Sequence, residues 1–207
     1  REAAEVMNKR AAEFKRSCRT RMTMEAVRRY ENEVFYIPWS FDYRGRAYPI
    51  PAFLTPQDTD FGKSLLQFAD DADVVSEKWL AFQVATSYGL DKATMEERLE
   101  WTRENVSLVS AVATNPIAFL GTWEGAEEPW QFLAACDEYY HCCVKQDRHT
   151  TSLPVATDAT CSGLQILAGL ARDKSTATLV NVVPSDKPQD AYAKVAETAL
   201  SLGIPTS

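Results

Sequence analysis

The stretch from Leu153 to Asp173, LPVATDATCSGLQILAGLARD, constrains the chain more than any other. Leu153 to Thr157 is short, mostly apolar and β-branched in bias, which predicts a buried strand. Asp158 follows at once, then small residues, then an apolar run from Cys161 to Ala171. That run is too long for a strand and predicts a buried helix closed by Arg172. An acidic residue where a buried strand gives way to a buried helix needs a partner, because an unpaired carboxylate there is costly. Two partners fit: the amides of the next helix, with Asp158 as N-cap, or a divalent cation held at a rigid strand end. Ser162 does not read as a nucleophile, since the strand–G-x-S-x-G–helix elbow is absent.

The 207 residues, 45 % of them hydrophobic, suffice for one good core or parts of two. No apolar run reaches eighteen residues, so no membrane span is expected. The chain opens without Met or a signal-peptide pattern and ends in a helix-and-turn region, which suggests a piece of a longer protein. The five cysteines, Cys18, Cys136, Cys142, Cys143 and Cys161, lack disulfide spacing and fit a reducing compartment. Cys136, His141, Cys142 and Cys143 lie close in sequence but within a helical pattern, without the paired spacing of zinc sites, and read as core cysteines. The net charge of −7 argues against an indiscriminate nucleic-acid binder, yet half of the 22 Lys and Arg residues fall within residues 1 to 46. Such segregation suits a local backbone-binding face, and equally a solvated helix face.

In chain order, an apolar stripe of Ala4, Met7, Ala11 and Phe14 predicts a helix to about Arg16, with a second from a Thr23 cap to about Asn32. Val34 to Trp39 predicts a strand limited by Pro38. Asp42 to Arg46, DYRGR, follows; Gly45 permits φ > 0 or a close backbone approach. If that segment is extended, Arg44 and Arg46 point to opposite faces, so only one faces a ligand. Ile50 to Asp60, with Pro51 and Pro56, reads as an ordered loop. A short helix is expected at Lys63 to Ala69, a solvated acidic turn at Asp70, Asp71 and Asp73, and a helix from Ser76 to Tyr88 stopped by Gly89. Thr94 and Glu97 form a capping box for a helix to about Ala113, ended by Asn115-Pro116. A further helix is expected over Trp130 to Val144. Leu179 to Val183 is a short apolar run stopped by Pro184. Pro188 suits the first turn of a last helix to about Leu202.

Taken together, D-x-x-C-S-G-L-Q, then A-R-D, V-N-V-V-P-S and P-Q-D-A-Y resemble the first palm motif of single-subunit DNA-dependent RNA polymerases of the T-odd phage and mitochondrial type. Phe41 to Pro49, FDYRGRAYP, looks like the D-x-x-G-R element of the same family. The chain departs from the family pattern at Ala159, Thr160 and Ile166, where Gly, Ser and His are usual. The resemblance implies a mainly α fold with a small β component (α+β), part of a right-hand polymerase palm. Residues 1–33 would be the thumb–palm junction, 34–186 the first part of the palm with inserted helices, and 187–207 the start of the fingers.

It implies DNA-templated RNA synthesis by nucleotidyl transfer, with two Mg²⁺ ions as cofactor. Asp158 would be one of two catalytic aspartates, and the Ala159 carbonyl a further metal ligand. Arg46 would reach the template–product duplex with Asp42 orienting it, and Arg44, Gly45 and Tyr192 would complete the nucleic-acid contacts. The second carboxylate, the triphosphate-gripping Lys and the ribose-testing Tyr have no match here. Implied partners are template DNA, product RNA and nucleoside triphosphates, in a monomeric enzyme without a membrane, set in the host-cell cytoplasm if phage-like rather than in a mitochondrion. Two other readings stay open: an A-family DNA polymerase palm, and a non-catalytic helical nucleic-acid-binding module.

Overall fold

The computed structural model describes residues 2–157, 159, 161–185 and 188–201. The chain opens with one helix, α1 (Glu2–Tyr30), rather than two. Nothing between Arg16 and Thr23 breaks it: there is no Gly or Pro, and Thr23 is a buried mid-helix residue, not a cap. A hairpin of β1 (Trp39–Phe41) and β2 (Ala47–Pro49) follows, antiparallel, with Trp39 opposite Pro49 and Phe41 opposite Ala47. The strand expected over Val34 to Trp39 is displaced. Residues 34–37 find no backbone partner among the described residues, and the ladder starts only where Ile50 N–H reaches the Pro38 carbonyl.

The loop to Thr59 leads into the single turn α2 (Asp60–Ser64), earlier and shorter than the pattern suggested because Thr59 caps it by accepting from Gly62 N–H at 3.3 Å. Asp71 accepts from the Thr150 hydroxyl beside β3 (Ala72–Asp73), which pairs antiparallel with β4 (Thr150–Thr151). Leu153 to Thr157 form no strand. Ladder pairing stops at Thr151, and after Ser152, whose carbonyl takes Phe68 N–H, residues 153–157 have no backbone partner among the described residues.

The core is a helical bundle. It is built from α3 (Lys78–Tyr88), α4 (Met95–Glu104), α5 (Val106–Thr114), the short α6 (Leu120–Trp123) and α7 (Pro129–Tyr139). Small residues on α3, Ala81 and Ala85, let α7 approach, so that Val84, Phe132, Ala135 and Cys136 are wholly buried together with Val109 and Val112 of α5. The expected single helix from Thr94 is two, because Asn105 turns its amide back onto the Trp101 carbonyl at 2.8 Å and leaves helical geometry. The Thr94–Glu97 capping box is present in full. α7 continues into a π-helical turn, Tyr140–Val144, closed by Lys145 N–H on the Tyr140 carbonyl. Cys136 and Cys142 sit in the core, burial raises their thiols, and His141 faces Asp147.

Polar ties lock the bundle. Thr102 hydroxyl donates to the Ala81 carbonyl, and Glu77 accepts from both Arg103 and the Tyr139 hydroxyl. Asp60 caps α7 from seventy residues away, accepting from Trp130 and Gln131 amides at 2.8 and 3.1 Å.

Beyond the bundle lie α8 (Ser162–Ala171), α9 (Lys174–Leu179) and α10 (Ala191–Ser201). α8 is a helix as expected but not a buried one: Ile166 is 64 % exposed and Leu170 78 %, and only Ala168 is buried. α8 packs chiefly on the six-residue α9, which is too short to cover its apolar face. α10 starts at Ala191, capped by Asp190, which accepts from the Tyr192 and Ala193 amides; Pro188 therefore precedes the helix instead of opening it. Mainly α with a small β component is thus the fold class observed.

Candidate active site and nucleic-acid interface

The DYRGR element forms the loop of the β1–β2 hairpin. Gly45 has φ of +79°, the left-handed position that such short hairpin loops demand. A Cβ there would meet nothing within 4 Å, so the residue is needed for its backbone angle and not for close approach. Gly45 N–H closes the turn on the Asp42 carbonyl at 3.0 Å.

Asp42 organises the loop. Its Oδ1 accepts from the amides of Arg44 and Arg46 at 2.8 and 3.0 Å, and its Oδ2 from Nε and Nη2 of Arg44. The Arg46 amide foremost, with the guanidinium and amide of Arg44, holds the Asp42 carboxyl below its ordinary range against the opposing effect of burial. Asp42 thus holds Arg46 through its backbone amide and by charge, and makes its side-chain hydrogen bonds to Arg44. Being in a turn, the two arginines are not set on opposite faces by strand alternation. They differ in commitment instead. Arg44 is paired and lies over the Tyr43 ring at 5.6 Å. The Arg46 guanidinium is exposed, with no hydrogen bond or ion pair among the described residues.

Asp158 lies outside the described residues. The backbone leading to it is described: residues 153–156 line a cleft of about 810 Å³ together with Tyr30, Val34 and Tyr36. Ala159 is exposed. The N-cap position of α8 is Cys161, in left-handed conformation with φ of +53°. Among the described residues no group of three or more His, Cys, Asp or Glu converges to hold a metal ion.

Downstream, the motif residues have structural work that sequence reasoning did not assign. Gln165 donates to the Val180 carbonyl at 2.8 Å and fixes α8 on the end of α9. Arg172 takes the left-handed C-cap of α8, and Asp173 at once caps α9, so A-R-D is a corner between two helices. Asn181, at φ of +60°, exchanges two hydrogen bonds with the Gln189 backbone, 2.7 and 2.9 Å, joining V-N-V-V to P-Q-D-A-Y. Tyr192 stands exposed in the first turn of α10. The structure thus gathers Asp42, Arg44, Gly45 and Arg46 in one turn. Among the described residues, the side-chain bond that ties the hairpin to the following loop runs from Gln57 to the Ala47 carbonyl.

Residues 72–202 match the family model described as DNA-dependent RNA polymerase. The mitochondrial DNA-directed RNA polymerase of Neurospora crassa is 35 % identical over 199 residues, covering 94 % of this chain and 14 % of that protein. The mitochondrial enzyme of Mus musculus is 36 % identical over 80 % of this chain and 14 % of its own length. The chloroplastic DNA-directed RNA polymerase 3 of Nicotiana sylvestris is 33 % identical over 86 % of this chain and 19 % of its own. The chain therefore spans between a seventh and a fifth of the relatives it matches.

Proposed function

Because this chain belongs to the DNA-dependent RNA polymerase family of the single-subunit type, we propose that it contributes part of the palm to DNA-templated RNA synthesis. The observation that carries this reading is the hairpin loop: one carboxylate spends itself on Arg44 and two amides, leaving the Arg46 guanidinium presented to solvent on a fixed turn. A planar fork of donors suits phosphate and base-edge acceptors of a template–product duplex. Arg46 binds the duplex, Asp42 and Gly45 shape its loop, Arg44 buttresses it, and Tyr192 adds a contact from the α10 end.

Asp158 is the catalytic carboxylate, and the Ala159 carbonyl is a second oxygen donor beside it. Carboxylate and carbonyl oxygens are the donors Mg²⁺ prefers. They are too few to complete an octahedral site, so further ligands come from outside these residues. When bound, paired Mg²⁺ ions supply activation of the attacking 3′-hydroxyl and stabilisation of the leaving pyrophosphate. The chain's own share is to supply the carboxylate and to hold the duplex from the hairpin. The assignment of residues 1–33 to the thumb–palm junction, 34–186 to the palm and 187–207 to the start of the fingers belongs to the same reading. The organellar relatives favour a mitochondrial setting over a phage enzyme in a host cytoplasm. No helix among the described residues is long and apolar enough to cross a membrane.

In the polymerase that contains this chain, Asp158→Asn lowers nucleotide incorporation by at least about a thousandfold and leaves template binding within about twofold. Incorporation retained by that variant would overturn the reading. A deoxyribonucleotide preference in the parent enzyme would favour the A-family alternative.

A further inference from the structure

α1 stands apart from the bundle, and its support is local. Thr23 is buried, and Ala26 and Tyr30 line a small apolar cavity with Phe35, Pro38 and Pro51. N-terminal to these, residues 5–17 are all exposed. At the boundary sits Arg19, which makes the one ion pair between α1 and the rest of the chain among the described residues. Its Nη2 donates to Asp58 Oδ1 at 2.5 Å and lies near the Ala52 carbonyl, with the guanidinium over the Phe53 ring.

Asp58 is a prepared socket rather than a chance surface acid. Its side chain is fully shielded from solvent. Oδ2 accepts from Leu54 N–H at 3.0 Å, where Leu54 itself takes φ of +53°, and Oδ1 accepts from Thr59 N–H at 2.7 Å. Gly62 packs so closely that any Cβ there would overlap the carboxyl group. The carboxylate is thus held by contacts independent of Arg19, which is its one ion-pair partner among the described residues.

The geometry is that of a lever. From Arg19 back to Glu5 the helix extends about 21 Å, so a tilt of about 10° at the socket displaces the far end by about 4 Å. That arm carries Lys9, Arg10, Lys15 and Arg16, all exposed. We propose that Asp58 is a positioning residue: its carboxylate seats Arg19 and thereby sets the angle at which the basic arm of α1 meets the template–product duplex. This rests on the polymerase reading for the identity of the duplex. Asp58 acts on duplex retention, and the bond-forming step is left to residues elsewhere.

The test uses the complete polymerase on a preassembled DNA–RNA scaffold, with scaffold dissociation and single-nucleotide addition at saturating scaffold measured separately. Arg19→Met keeps the apolar stem at a half-exposed position and so leaves the fold intact; Asp58→Asn removes the charge from the socket. Each variant is expected to release the scaffold about tenfold faster while adding a nucleotide within about twofold of the parent rate. Arg19→Lys recovers part of the loss, and the double variant is no worse than Asp58→Asn alone. Release from Arg19→Met within twofold of the parent overturns the proposal, as does a fall in nucleotide addition as large as the gain in release rate. Parent enzyme that binds the scaffold but adds no nucleotide overturns the polymerase reading instead, because release is measured without chemistry.

Discussion

Asp58 also shows how one residue sets a pH dependence. Burial pushes its carboxyl up, but the Arg19 guanidinium and the Thr59 and Leu54 amides outweigh that and leave it below the usual value of 3.8. A carboxyl lowered on folding stabilises the folded form above its unfolded value, and that contribution is lost as pH falls through the folded value. Thermal melts should therefore show the parent more stable than Asp58→Asn above about pH 4, with the gap closing as the pH falls from about 4 towards 2. A variant as acid-sensitive as the parent would contradict the assignment. Nothing in the sequence around Asp58 advertised this role. Its partners are 39 residues upstream and in the adjacent loop, and a proline-rich loop reads the same whether its acid is solvated or sealed.

At the scale of elements, the signals that were legible are those satisfied within a few residues. The Thr94–Glu97 box, the Gly89 stop with φ of +135°, and the end of α5 at Asn115 all answer to local hydrogen-bonding demands. Thr94→Ala is accordingly expected to cost about 1 kcal/mol in chemical denaturation, with an unchanged slope. The strands were misplaced for the opposite reason. Val34 to Ile37 and Leu153 to Thr157 have strand-like composition, but a strand exists only where a neighbour supplies the ladder, and composition does not name the neighbour. The hairpin reads as a motif but not as a turn, so the Asp42 bonds to the Arg44 side chain and to the Arg46 amide are not legible in it. Asn181 and Gln165 were quoted within motifs without their joints being seen, since each closes only on residues brought near by folding.

Across the described residues, burial and the residues proposed for duplex binding occupy different places. The wholly buried side chains Phe132, Val84, Val109 and Val112 belong to the bundle between Lys78 and Tyr139, whereas the hairpin and α8 expose most of their large side chains. Phe132→Ala should cost about 3–5 kcal/mol of unfolding free energy by cavity formation, while Leu170→Gln in the same 207 residues should stay within about 0.5 kcal/mol. Equal losses from the two would show that α8 is packed in solution. A survey of single substitutions along this chain would thus divide into two kinds of defect. Changes in the bundle would alter how many molecules survive in a cell and leave each survivor competent, whereas, on the proposed role of the hairpin, changes there would spare abundance and silence every molecule alike. Dosage could compensate for the first and never for the second.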